Sequence, residues 1–187
     1  MSNDQGHVVH KTLDENVRYP THDKRKATAL YNKSHKKLII TLDTPCRICG
    51  VKHSTLNDPT QNRWGAIQME THHYYIEDSL ANAIDLNKFN TRMLPYLRKR
   101  FPNRPLYKTD FTQDQMLEWI HGDEHALMVL CNVHHRSPLT GIHSITYPIW
   151  AVQDLIIDNF DLTGFHAESK EEAKHLTGLP VTKGEAE

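Results

Sequence analysis

Two short motifs constrain this chain more than any other feature. They are Cys46-Arg47-Ile48-Cys49, followed at once by Gly50, and Cys131-Asn132-Val133-His134, more than eighty positions further on. A two-residue gap lets both side chains of such a turn reach one ion at about 2.0–2.3 Å, and four sulfur and nitrogen donors complete the tetrahedral shell that zinc prefers. Gly50 supplies the backbone freedom that a paired-cysteine turn needs. A shell closed by four protein ligands leaves no position for substrate, so the expected zinc is structural. It would tie the chain after Pro45 to a distant segment, which matters in a protein that is only 38% apolar. The fourth ligand has two candidates, His134 and His53. The competing reading makes the cysteines small buried apolar residues.

Length and charge narrow the rest. At 187 residues the chain fits one domain with short appendages. Three cysteines cannot all pair with one another, and cysteine with histidine in a reducing compartment points to metal more often than to disulfide. No run approaches the ~18 apolar residues of a membrane span, and the first residues lack the apolar stretch of a secretory signal, so the expected location is the cytoplasm. Net charge is −1, so any nucleic-acid site must be a local patch. Fourteen histidines against eight glycines are the compositional oddity.

Along the chain, residues 1–37 read as a basic, His-rich arm with one short helix near residues 24–33. Residues 38–42 (Leu-Ile-Ile-Thr-Leu) read as a strand stopped by Asp43-Thr44-Pro45. Residues 66–76 read as a second strand carrying His72 and His73. Ser79 can cap a helix over residues 80–89, and Asn90 a further turn that ends in Arg98-Lys99-Arg100. Thr112 and Gln115 have capping-box spacing, with Met116, Leu117, Trp119 and Ile120 on an apolar side that ends at Gly122. Residues 127–130 are a buried strand or helix entry running into Cys131. A packed helix is expected over residues 149–159, and residues 161–187 form a charged, solvated tail.

Taken in order, Cys-x2-Cys, a His pair on a strand, and Leu-x2-Leu-Cys-x2-His-His resemble the zinc-knuckle branch of the HNH endonucleases over residues 46–136. The resemblance implies an α+β fold with a ββα-metal core inside residues 38–160, and makes residues 79–122 a helical insertion. It implies that Cys46, Cys49, Cys131 and His134 hold the structural zinc. It further implies that His72 and His135 hold a catalytic divalent cation (Mg2+, Mn2+, Ni2+ or Zn2+) and that His73 is the general base. The activity implied is metal-dependent hydrolysis of DNA phosphodiester bonds, with double-stranded DNA the expected partner. The chemistry suits these residues: imidazole takes a proton near neutral pH, and a cation stabilises charge on the phosphorane and the leaving oxygen. Neighbours on a regular strand point to opposite faces, so a shared site for His72 and His73 requires a strand end or a bulge.

The sequence departs from the family in three places. The family's bracing Asn falls on Ala126, which makes His125 its possible substitute. The interval from His73 to His135 is about twice the usual length. Pro138 leaves little room for a helix to continue beyond His135. Glu77 either orients the base from behind or favours the start of the next helix. His143 either reaches the metal or a phosphate, or is a loop residue. Arg98, Lys99, Arg100 and Arg104, with Lys108 and the lysines of residues 24–37, are candidate phosphate contacts, or else a solvated charged face. The alternative function is a catalytically inactive, zinc-stabilised module that binds nucleic acid or protein.

Overall fold

A computed structural model describes residues 20–21 and 27–144. The helix expected over 149–159, the tail over 161–187 and the first part of the basic arm, Lys24, Arg25 and Lys26 included, lie outside the described residues. The fold is mixed: among the described residues, five α-helices surround a two-stranded antiparallel sheet. No helix there is long and apolar enough to cross a membrane.

Helix α1 (Ala29–Lys36) starts at Thr28, whose hydroxyl accepts the Tyr31 N–H at 3.0 Å. It does not stop at residue 36. The next turn, Lys37–Thr41, widens into a π-helix closed by Leu42 N–H to Lys37 O. The strand expected over residues 38–42 is therefore helical. A strand would have set Leu38, Ile40 and Leu42 on one face, but Ile40 and Leu42 are 52% and 56% exposed. The side that packs instead is Tyr31, Ser34, His35, Leu38 and Ile39, a 3.6-residue period that overrides the β preference of the isoleucines. The stop falls where expected. Asp43 adopts a left-handed φ of 44° and its carboxylate holds Ser54 through both backbone N–H and hydroxyl.

The sheet pairs β1 (Met69–His73) with β2 (Leu127–Cys131), in register from Met69 opposite Cys131 to His73 opposite Leu127. Every β1 residue is buried, so both faces are covered. One face presents Thr71, whose hydroxyl donates to Tyr31 Oη and is 3.0 Å from His35 Nδ1, fastening the sheet to α1. The other presents Glu70 and His72 toward α5 (Asn132–Arg136), which follows β2 without a loop. That helix ends two residues before Pro138, because the residue ahead of a proline is pushed out of the helical region; Ser137 sits at ψ 136°.

Between the strands, the helix expected over 80–89 is split. A 3-10 segment, Asp78–Ala83, breaks at Ile84, and Asp85 rather than Ser79 caps the next helix by accepting the Lys88 N–H. Short α2 (Leu86–Lys88) runs through a π turn, Phe89–Met93, into α3 (Leu94–Arg100). Asn90 caps nothing: it lies inside the helical run, and its amide bonds both backbone groups of Phe111. Helix α4 (Gln113–Gly122) carries the expected reciprocal capping box between Thr112 and Gln115. These elements enclose their own core of Phe89, Leu94, Leu97, Tyr107, Met116 and Trp119, separate from the one around Ile39, Val51, Met69, Leu130 and Val133. The core containing Tyr107 holds a buried polar link, Trp119 Nε1–H to Tyr107 Oη at 2.9 Å. Tyr107→Phe should leave that indole donor unsatisfied and cost about 1–3 kcal/mol, measurable as a lower melting temperature with unchanged metal content.

Candidate metal centre

The β1–β2 register carries Cys131 to the end of the sheet, and the Arg47 N–H donates to Val129 O, which lays the first cysteine turn along β2. Gly50 closes that turn with φ 75°, its N–H reaching Cys46 O. Four donors converge as a result: the thiols of Cys46, Cys49 and Cys131 and a ring nitrogen of His134, all within 4.8 Å of one another. Cys49 and Cys131 sulfurs are 3.9 Å apart, Cys46 Sγ is 3.9 Å from His134 Nδ1, and Cys131 Sγ is 3.2 Å from it. Zinc–ligand bonds of ~2.0–2.3 Å in a tetrahedron give donor separations of roughly 3.3–3.8 Å, so the set fits such an ion closely. His53, the other candidate ligand, sits exposed in its own 3-10 turn and is not in the cluster.

The charges favour the same reading. Hydrogen bonding from Cys131, then from Cys49, pushes the Cys46 thiol down, while the bond to Cys46 pushes Cys131 up. Crowding three thiols together thus opposes their joint ionisation, which a shared cation would relieve. All three are free cysteines. The cluster could hold a metal such as zinc.

A second cluster lies on the α5 face of the sheet: His72, His135 and His143, with donor atoms again within 4.8 Å. The rings stand 4.9–5.3 Å apart between centroids. His72 comes from β1 and His135 from α5. His143 comes from the loop after α5, which folds back through Gly141 N–H to Ser137 O and Ile142 N–H to His134 O. Gly141 is required there, since a Cβ would lie 2.5 Å from Ser137 O and 2.8 Å from His135 O. Partial burial, then the neighbouring His72 and His135, hold the His143 imidazole below its ordinary pKa.

Two carboxylates steady this cluster. Glu70 Oε2 is 2.5 Å from His135 Nδ1 and also accepts from Arg136 Nε at 2.8 Å. Burial works against the Glu70 charge, but His135 and Arg136 outweigh it and keep its pKa low. Glu77 Oε1 is 3.2 Å from His72 Nε2. With one nitrogen of each ring engaged, the tautomer is set and the other nitrogen keeps the lone pair a metal needs. Glu77 thus pairs with His72 and not with His73, the base it was expected to orient.

The remaining expected site residues fall elsewhere. β1 has no bulge, but it ends at His73, short of the residue 76 expected; the pairing is regular up to that end, so the His73 ring still alternates away from His72. His73 shares the Thr71 face, away from the three imidazoles, with Nε2 3.8 Å from Asp78, whose carboxylate is 2.7 Å from His121 Nδ1. His125 braces no cluster. Its backbone N–H and ring both bond Asp123. The bracing is done by Asn132, whose side-chain oxygen accepts from Ile67 and Gln68 N–H. Arg104 is taken up by Asp123 and Glu124, and Arg98 by Tyr107 O and Asp110, while Lys99 and Arg100 are exposed. Glu70 and Asn132 are the residues the sequence reading misses. Only Glu70 leaves a signal: it stands two before His72 and so shares its strand face.

No protein-family model matches the chain, and comparison with curated proteins and with solved structures gives no match.

Two outcomes check the centres. Purified protein should hold about one zinc tightly through the cysteine cluster, and strong chelation should unfold it; a chelated protein with an unchanged melting curve would refute the site. Gly141→Ala should displace the His143 loop and weaken metal binding at the three-imidazole site, read by isothermal titration with Mn2+, while the tight zinc stays.

Proposed function

We propose that the protein is a metal-dependent endonuclease of the HNH type, hydrolysing DNA phosphodiester bonds in the cytoplasm. The observation that carries this reading is the division of labour between two neighbours. His134 joins the buried cysteine cluster and His135, the next residue, joins the partly open imidazole cluster. The chain order β1, β2, α5 around those clusters supports a ββα-metal core, and three free cysteines suit a reducing compartment.

In this reading Cys46, Cys49, Cys131 and His134 hold structural zinc, and His72, His135 and His143 would hold a divalent ion. That ion would supply electrostatic stabilisation to the phosphorane and the leaving oxygen. Glu70 and Glu77 fix the His135 and His72 rings so that no reorganisation is needed when charge develops. The base is assigned to His73 on the resemblance alone. Its ring is buried beside Asp78, on the face opposite the imidazole cluster, so acting as base on a water at that cluster requires the end of β1 to turn it toward the ion.

Nicking of supercoiled plasmid with Mg2+, Mn2+, Ni2+ and Zn2+ tests the activity. His135→Ala should keep the tight zinc and melting temperature and lose nicking by at least about a hundredfold, whereas His134→Cys should preserve all three, thiolate being an equally good zinc ligand. Glu70→Gln should weaken metal binding at the imidazole site about 10–100-fold. His73→Ala should abolish nicking with metal content unchanged; full activity in that variant would move the base elsewhere. If no ion supports cleavage of plasmid or of single-stranded DNA by the wild-type protein, the inactive binding module replaces this reading.

A further inference from the structure

Beside the proposed catalytic face lies a patch that the nuclease reading does not use. Tyr74 follows His73 directly, and its ring lies beneath two guanidinium groups, Arg47 at 4.9 Å and Arg100 at 5.5 Å from the centroid. Arg47 comes from the first cysteine turn and Arg100 from the end of α3, so two distant segments bring like charges to one aromatic ring. Arg100 also donates to Tyr96 Oη at 2.9 Å. Among the described residues no carboxylate pairs with Arg47, Arg92 or Arg100. Nearby acids are engaged elsewhere. Glu124 binds Lys37 and Arg104, and Asp85 caps α2. Two cations over one tyrosine ring, lining the same cleft and without a counter-ion among the described residues, make a site for an anion.

The patch continues into an apolar groove. Arg47, Tyr74 and Arg100 line a cleft of about 340 Å³, and Tyr75 forms part of its wall and part of the wall of an adjoining groove of about 680 Å³. That groove has Tyr75, Ile84, Phe89, Met93 and Tyr96 along its walls, with Lys88 and Arg92 among its lining residues. Tyr96 is 47% exposed, unusually open for a tyrosine with a satisfied hydroxyl. A phosphate site next to an aromatic groove of nucleobase size, with further cations beside it, matches a polynucleotide strand whose bases are free to leave the stack.

We propose that Arg47 and Arg100 clamp a backbone phosphate of an unpaired nucleic-acid strand and that the adjoining groove takes a neighbouring base against Tyr96. This names the substrate class of the nuclease and rests on that reading. Paired duplex holds its bases inside the stack and cannot fill the groove without an unstacking cost.

The test is fluorescence anisotropy of full-length, zinc-loaded protein, without added divalent ion so that nothing is cut, against a labelled oligothymidylate and a labelled duplex of equal length. The single strand should bind at least about tenfold tighter. Arg47→Gln with Arg100→Gln should weaken single-strand binding at least tenfold and flatten its salt slope by about 0.7 per lost contact. Tyr96→Ala should cost about tenfold for the oligothymidylate and nothing for the duplex. Zinc content and melting are measured for each variant, and Arg100→Gln with Tyr96→Ala replaces the first pair if Arg47→Gln disturbs the zinc turn. Unchanged affinity and slope, or duplex binding equal to single-strand binding, overturns the proposal. Cleavage of the oligothymidylate and of plasmid with divalent ion added, read separately, distinguishes the two ideas: binding through these residues without cleavage of either refutes the nuclease alone, and cleavage with indifferent variants refutes the clamp alone.

Discussion

The pairing of β1 with β2 is the interaction on which both Cys/His clusters depend. It sets Met69 opposite Cys131 and His72 opposite Met128, joining segments separated by the helices of residues 78–122. From that register Cys131 reaches the first cysteine turn, and α5, entered without a loop, must present His134 and His135 to two different places. Two strands alone are a marginal sheet in water. Here one face is fastened to α1 through Thr71, and the other is locked to α5 by the Glu70–His135–Arg136 group. A metal at the cysteine cluster would add a third fastening at the sheet's end, where the loop being closed is longest and the entropic gain from closing it is correspondingly large.

What the sequence discloses follows how local each signal is. The capping box at Thr112 and Gln115, the cysteine turn closed by Gly50 and the stop at Pro138 are decided within a few residues, and the structure has them where the spacing puts them. Residues 37–41 fail that test because Ile39 and Ile40 carry a β preference, while the helical period that wins is visible only when Tyr31 and His35 are counted with them. Asn90 fails for another reason: its partner, Phe111, is twenty-one positions away. Arg104 looks like any exposed cation until the fold brings Asp123 and Glu124 to it.

The imidazole cluster shows the same limit at the level of chemistry. His72 and His135 are marked by a resemblance of motif order, and the fold brings them together. His143 has no motif of its own. It joins them because a glycine with no room for a Cβ lets the loop after α5 fold tightly back. Strand alternation separates His73 from His72, and regular pairing leaves no device to undo that separation. Asp78 then provides His73 with a carboxylate on its own face, as Glu77 does for His72 on the other. Each histidine of the pair has an acidic neighbour from the same short segment, so Glu77-Asp78 both begins the 3-10 turn and sets a carboxylate beside each histidine.

A net charge of −1 argues against a polyanion partner only if the charges are spread evenly, and they are not. Glu70, Glu77, Asp78, Asp123 and Glu124 are each committed to a histidine, arginine or lysine inside the fold. They neutralise partners at short range and contribute little field beyond a Debye length. Among the described residues Arg47, Arg92 and Arg100 have no such partner, and they line adjoining clefts with Tyr74, Tyr75 and Tyr96. The field an approaching strand meets is set by this unpaired remainder and not by the sum over the chain. Several of the acidic residues that offset the basic total also hold histidines in place, so an ordered metal site and a local cationic face can coexist in a nearly neutral protein.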